Sequence, residues 1–170
     1  LEAADPAPSL SIMARVGVLA RLLPGADPDC VARLVSLEEG AEPDSILRLA
    51  ALGGEHAATR WRLSKAASRR LERLRNDAAS GRDIAEVAWR GDAGHAWDVA
   101  RLRAAMTGGS LPPETGERIA LGEQAVFPVR PSDLMPERQG AELGEALARL
   151  ERQWIASDFA LSREELLGKG

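Results

Sequence analysis

The chain has 170 residues, of which 45% are hydrophobic, so it is long enough to bury one core or two small adjoining cores. Its net charge of −4 excludes a uniformly basic surface, and no apolar run approaches the roughly 20 residues that a transmembrane helix requires. The single cysteine, Cys30, excludes an internal disulfide and fits a reducing compartment, so we predict a cytoplasmic location and no membrane partner.

Proline, aspartate and glycine mark the ends of three helices predicted in the first third of the chain. Proline suits the first turn of a helix, aspartate suits the N-cap, and glycine commonly ends a helix. The first of these helices is expected to continue through Gly17 to Leu19. The predicted starts lie at Pro8, Asp27-Pro28 and Pro43-Asp44, and the predicted stops lie at residues 22–25, Gly40 and Gly53-Gly54.

Helices are also predicted along the remainder of the chain. Ser64 caps a fourth helix that ends near Ala79, with Leu71 and Leu74 on its inner face. The only extended piece is expected at residues 125–129. Many short helices with tight loops predict a compact all-α fold, with a helical body at residues 1–109 and a helical tail at 110–170. The later helices are expected at residues 83–90, 93–107, 114–124, from 140 to about 154, and after the capping sequence at 162–165.

Basic side chains concentrate in the middle of the chain. Residues 51–110 contain eleven basic and seven acidic side chains, whereas residues 1–50 contain four and eight. On the helix that begins at Lys65, positions 65, 69 and 73 form one i,i+4 row with a repeat of about 6 Å, which suits the phosphates of an RNA backbone. The alternative is a solvated helix face on which Arg69 or Arg73 pairs with Glu72. The residues predicted to contact RNA here are Arg60, Arg62, Lys65, Arg69, Arg70 and Arg73.

A second, weaker candidate site lies at residues 138–144. Gly140 and Gly144 can expose backbone N–H groups at a helix N-terminus, which suits a phosphate, and Arg138 adds a positive charge. The alternative is a helix start at which glycine permits close packing against a neighbour. Acidic residues at 142 and 145 favour that alternative.

Other side chains that could perform chemistry are better explained by packing. Core burial is favoured for three of the four tryptophans, and Trp61 is the exception because it lies between two arginines. His56 and His95 lack a third ligand at metal-binding spacing, so no metal site is predicted. Cys30 lies in an apolar helix pattern without a nearby base, which argues against a nucleophile.

Four sequence blocks stand out along the chain: Pro6 to Pro24, Leu47-Arg48-Leu49-Ala50-Ala51-Leu52, Arg62-Leu63-Ser64-Lys65, and Phe127-Pro128-Val129 followed by Asp133-Leu134, Gly140 and Gly144. In this order and spacing they resemble the body and tail of the bacterial tRNA nucleotidyltransferase (CCA-adding) and poly(A) polymerase family. The tail block departs from the family pattern at Pro131, where a glycine is usual, and at Glu142, which replaces part of a Pro-Gly-Pro sequence.

The resemblance implies a non-catalytic domain that binds tRNA, or another RNA 3′ end, for a catalytic head elsewhere in a longer protein. The family's Gly-Ser followed by paired aspartates, and its Glu-Asp-x-x-Arg block, do not occur in this sequence. Mg²⁺ and ATP or CTP are therefore expected in the head, and no cofactor is expected here. CCA addition and poly(A) addition both remain open. The alternatives are an all-α scaffold or protein-interaction domain without RNA binding and, with the least support, an autonomous enzyme.

Overall fold

The computed structural model describes residues 1–38, 40–135 and 138–168. Within these ranges the chain forms eleven α-helices and one 3₁₀ turn at Pro131–Asp133, and it contains no strand, which confirms the predicted all-α fold. The helices are α1 (Ala7–Arg15), α2 (Val18–Leu22), α3 (Pro28–Leu37), α4 (Ser45–Leu52), α5 (Ala57–Arg60), α6 (Lys65–Ala79), α7 (Ile84–Arg90), α8 (Ala93–Thr107), α9 (Thr115–Gln124), α10 (Gly140–Ala156) and α11 (Arg163–Leu166).

Side-chain caps fix the starts of α3, α4, α6 and α11, as the sequence predicts. Asp27 accepts hydrogen bonds from the backbone N–H groups of Asp29 and Cys30 at the start of α3. Asp44 does the same for α4, and the Ser64 hydroxyl accepts from the N–H of residue 67 at 3.2 Å. Ser162 forms a reciprocal capping box with Glu165 at α11. These bonds satisfy N–H groups that a helix start otherwise leaves unpaired.

The first predicted helix and the segment before α6 differ from expectation. The single helix predicted to run from Pro8 to the stop at residues 22–25 is wrong, because Gly17 adopts φ 73° and separates α1 from α2. The short helix α5 was not predicted, since it begins after His56 in the left-handed conformation at φ 56°. Residues 125–129 form no strand, although Ala125 is extended at φ −70° and ψ 131°.

The main hydrophobic core lies among α1 to α9. Leu71 and Leu74 pack the inner face of α6 into it, with 2% and 0% of their surface exposed. Helices α7 and α9 pack closely because Gly122 has no side chain, and a Cβ at that position would overlap the carbonyl of Ala85. The described residues with 0% exposure in this core include Leu23, Val31, Leu34, Leu74, Ala96, Val99, Leu102 and Ala105.

A second hydrophobic cluster forms under the tail. The Trp154 ring lies at centroid distances of 5.4 Å from Trp89, 5.4 Å from Phe127 and 4.9 Å from Phe159. Trp89 belongs to α7, so the body supplies one wall of this cluster. Ile119 of α9 packs in the main core although it lies beyond residue 109. The body and tail boundary predicted at 109/110 stays a prediction.

A buried ion pair secures the first residues of the chain. The guanidinium of Arg48 on α4 is hydrogen bonded to the Glu38 carboxylate, with a shortest distance of 2.6 Å, and the two side chains are only 1% and 7% exposed. The same guanidinium donates to the carbonyls of Leu1, Ala3 and Ala4 at 2.7, 2.5 and 3.0 Å. Burial of this charge is tolerated because carboxylate and carbonyl oxygens satisfy its donors.

None of the helices in the described part of the chain is both long and apolar enough to cross a lipid bilayer.

Candidate nucleic-acid interface

Helix α6 presents a row of cationic side chains on the face opposite its packed face. Leu71 and Leu74 orient the helix by packing into the core. With 3.6 residues per turn, Lys65, Arg69 and Arg73 then lie about 130° to 170° around the helix axis from the centre of the packed face. Arg62 precedes the helix in the left-handed conformation, at φ 51°. We call Arg62, Lys65, Arg69 and Arg73 the outward row.

Three members of the outward row are exposed and have no acidic partner among the residues that the structure describes. In the ranges 1–38, 40–135 and 138–168, the side chains of Arg62, Lys65 and Arg69 form no ion pair. Glu72 also makes no ion pair within these ranges, so the alternative in which it neutralises Arg69 or Arg73 is not observed. These positive charges therefore remain available to a ligand.

Arg73 is held more firmly than the other three. Its Nε lies 3.8 Å from the Asp77 carboxylate, and 47% of the side chain is exposed. This separation exceeds hydrogen-bond length, so the ion pair is loose. The guanidinium lies directly over Gly91, where any Cβ would overlap its Nη2 atom. Gly91 thus leaves the space that the Arg73 head group occupies.

Arg69 and Arg73 line two adjoining surface cavities. One, of about 510 Å³, lies between α6 and the N-terminal turn of α8 and is also lined by Asp92, Gly94 and His95. The other, of about 550 Å³, is lined in addition by Arg82 and Arg90 and by acidic residues at 72 and 77. Both acidic and basic side chains therefore lie beside the outward row, and the acidic ones restrict where a polyanion can approach.

Two other arginines of α6 are committed to internal contacts. Arg70 donates to Asp44 and to Asp98, with N–O distances of 2.5 and 2.9 Å. Arg75 donates to the backbone carbonyls of Leu49, Gly53 and Gly54. Each side chain ties α6 to the neighbouring elements.

The pKa shifts in the Arg70 cluster follow from these contacts. Hydrogen bonds to Asp44 raise the pKa of Arg70 despite partial burial. Burial pushes the pKa of Asp44 upward, but hydrogen bonds from Arg70 and from the backbone outweigh it and lower that pKa. Burial raises the pKa of Asp98, and the nearby Asp44 charge adds to that effect. Arg70 therefore holds together two carboxylates that would otherwise repel each other.

Arg60 lies at the end of α5, where its guanidinium donates to the Arg21 carbonyl at 3.0 Å. One of its nitrogens is thereby engaged, and the side chain is otherwise exposed. Since an arginine has five N–H donors, Arg60 keeps donors for a phosphate.

The weaker site at residues 138–144 lies apart from the outward row in the chain and does not line either cavity beside it. Gly140 is the first residue of α10, with φ 57°, and among the described residues no atom lies within 4 Å of where a Cβ would stand there or at Gly144. The described residues therefore contradict the close packing expected at these glycines. Arg138 is partly exposed, and its backbone N–H donates to the Leu134 carbonyl.

Most of the remaining side chains with potential chemistry have structural partners. His95 is buried with its Nε2 at 2.7 Å from Asp77, and Trp154 is 2% exposed. Burial raises the pKa of the Cys30 thiol, which disfavours the thiolate. Asp133 caps the 3₁₀ turn by accepting from the Arg130 N–H. Trp61 is 39% exposed, in line with its position between two arginines.

Arg82 and Arg90 were not predicted to border the outward row. Arg82 pairs with Asp77 at 2.8 Å, and Arg90 bridges Glu86 and Glu151 at 2.8 and 2.7 Å. Their place beside Arg69 depends on how α6 and α7 each pack against α8, which no local sequence signal reveals. Among the described residues, no cluster of three or more His, Cys, Asp or Glu is placed to hold a metal ion.

Comparison of the chain with protein-family models, with curated proteins and with solved structures finds no match.

Proposed function

We propose that this chain is a tRNA-binding helical domain of the tRNA nucleotidyltransferase or poly(A) polymerase type. It holds RNA by the backbone and positions the 3′ end for nucleotidyl transfer by a catalytic head outside these residues. The observation that supports this proposal most directly is the outward row, whose members Arg62, Lys65 and Arg69 are exposed and form no ion pair in the described ranges.

The spacing of the outward row suits a phosphate backbone. Lys65, Arg69 and Arg73 lie about 6 Å apart along the axis of α6, and Arg62 extends the row at its N-terminal end. Each side chain reaches a different phosphate of a bound strand, and phosphate contacts fix register without reading sequence. Such a surface suits a ligand recognised by shape, as folded RNA is.

The contribution of this domain to the reaction is positional. Holding the RNA body places its 3′ end against the reacting nucleotide and replaces a bimolecular encounter with an oriented one. Mg²⁺ and ATP or CTP belong to the catalytic head in this proposal. Arg60, Arg138 and Gly140 are secondary contacts. Arg70 is left out of the RNA contacts, because its guanidinium already pairs with Asp44 and Asp98 and stabilises the fold.

A helical scaffold without an RNA role is the second candidate, and the internal bonds of Arg70 and Arg75 favour it. They show that some of the positive charge of α6 serves packing. The two candidates differ in the role of the outward row. In an RNA-binding domain these exposed cations contact phosphates, whereas in a scaffold they bind no polyanion.

A salt titration of tRNA binding separates the two candidates. We expect log K to fall linearly with log salt, with a slope of about −3 to −4 for four phosphate contacts. Fluorescently labelled tRNA and the purified chain suffice, with salt varied at constant pH. Absence of binding at low salt, or a slope near zero, contradicts the proposal and leaves the scaffold.

A further inference from the structure

An exposed apolar surface lies at the opposite end of the outward row from Arg73. Ile12, Val16, Val18, Leu22 and Trp61 are 55%, 65%, 42%, 40% and 39% exposed. The first four follow one another along α1, its C-terminal end and α2, and Trp61 immediately precedes Arg62. We call these five residues the apolar ridge. Exposed apolar side chains grouped in this way commonly mark an interaction site.

A groove of about 560 Å³ adjoins the apolar ridge and shares Leu22 and Trp61 with it. Its walls come from α1, α2 and α4 and are mainly aliphatic, with Met13, Leu19 and Ile46 among them. A groove with aliphatic walls on several helices accepts the apolar stripe of another helix.

The two chain segments that supply the ridge carry only positive charges. Residues 6–26 contain Arg15 and Arg21 and no acidic residue, and residues 56–71 contain five basic residues and no acidic one. These two segments adjoin, since the Arg60 guanidinium donates to the Arg21 carbonyl at 3.0 Å. Among the described residues, one acidic side chain, that of Glu2, lines the groove.

We infer that the apolar ridge and groove bind an amphipathic helix with acidic flanks, supplied by a protein partner. The apolar stripe of that helix fills the groove, and its carboxylates meet Arg15, Arg21 and Arg62 at the edge. This inference does not depend on the proposed RNA-binding function, because no side chain that lines the groove belongs to the outward row. Arg62, at the edge of the groove, is the one residue that the two proposals share.

Protein fits this groove better than RNA or a second copy of the chain. Base edges need hydrogen-bond partners, and an aliphatic wall supplies few of them. The acid-rich amphipathic helix of this chain, α10, already buries Leu150 and Trp154 in its own tail cluster, so a second copy has no such face to offer.

Fluorescence anisotropy with synthetic helical peptides tests the inference. The probe is a labelled peptide of about 18 residues with leucines at i, i+3, i+4 and i+7 and glutamates on both flanks. The matched control carries lysines in place of the glutamates, and a second control scrambles the acidic sequence. We expect the acidic helix to bind at least about tenfold more tightly than either control.

Two substitutions locate the binding surface. Val18→Glu with Leu22→Glu should weaken binding of the acidic peptide by at least about tenfold, because both side chains contact the stripe and the new charges repel it. Val126→Glu, at a side chain that is 80% exposed, is the matched control and should leave affinity unchanged. Unchanged circular dichroism and melting of both proteins show that the fold is retained.

Several results overturn the inference. They are failure of the acidic peptide to bind, equal binding by the lysine peptide, and undiminished binding by the double variant. Self-association of the chain that the double variant abolishes, measured by analytical ultracentrifugation, assigns the groove to a second copy. Competition between the peptide and an RNA whose binding the double variant also weakens assigns it to RNA.

Discussion

The arginines of α6 fall into two groups that lie side by side on one helix. Arg69 and Arg73 point away from the packed face, and Arg69 forms no ion pair in ranges 1–38, 40–135 and 138–168. Arg70 and Arg75 each lie about 70° from the centre of that face and bond to neighbouring elements. The difference shows that the position of a charge relative to the packed stripe decides whether it stabilises the fold or remains available to a ligand.

Arg48 is the extreme case of an arginine committed to the fold, so its removal should have the largest effect. Arg48→Met leaves the buried Glu38 carboxylate unpaired, and we expect a loss of about 3 to 5 kcal/mol in the free energy of unfolding. Urea denaturation measures it. The double variant Arg48→Met with Glu38→Gln should lose less than the single one, and an equal or greater loss would contradict the ion-pair explanation.

Arg70→Met should have an intermediate effect on stability. We expect a loss of about 1 to 2 kcal/mol, because two carboxylates lose their partner while the site stays partly exposed to solvent. Arg69→Met is the matched control on the adjacent residue and should change stability by less than about 0.5 kcal/mol. Equal losses in the two variants would remove the distinction between the groups.

The same pair of positions should give the reverse order in RNA binding. Arg69→Gln is expected to reduce the magnitude of the salt slope for tRNA by about one, because one phosphate contact is lost. Arg70→Gln should leave the slope unchanged. Salt titrations of both variants provide the test. A change of slope seen only in Arg70→Gln would show that Arg70, and not Arg69, contacts the phosphate.

Arg163 offers a smaller and pH-dependent test at the surface of the tail. The Arg163 guanidinium and the Arg130 backbone N–H both donate hydrogen bonds to the Asp133 carboxylate. These bonds lower the pKa of Asp133 from 3.8 to about 2. Because the pKa is depressed in the folded state, the ion pair stabilises the fold above pH 3.8, and this stabilisation is lost as pH falls toward 2. A carboxyl NMR titration should give a midpoint near 2 for Asp133. A midpoint near the ordinary value of about 3.9 would mean that the pair does not form in solution.

Local signals in the sequence predicted most of the fold. Helix starts could be predicted at Asp27, Asp44 and Ser64, because a capping side chain bonds to a backbone N–H within three residues of itself. The break at Gly17 was missed because the apolar pattern continues across it. Helix α5 was missed because it begins after His56 in a left-handed conformation, and no sequence signal indicates that conformation at a histidine.

The candidate site could be predicted only in part. The i,i+4 row of Lys65, Arg69 and Arg73 follows from helix geometry alone. The partners of Arg70 do not, because Asp44 and Asp98 lie 26 and 28 residues away and come together only through packing. A helical wheel centred on Leu71 and Leu74 would have separated Arg70 and Arg75 from the outward row, since both flank the packed face.

Charge reversal on the outward row tests the central claim most directly. Arg69→Glu with Arg73→Glu should abolish most tRNA binding at low salt. Arg149→Glu with Arg152→Glu, an equal charge change at two exposed positions of α10, should retain most of it. Equal loss in the two proteins would mean that only overall charge matters, and undiminished binding by the α6 variant would contradict the assignment of RNA to the outward row.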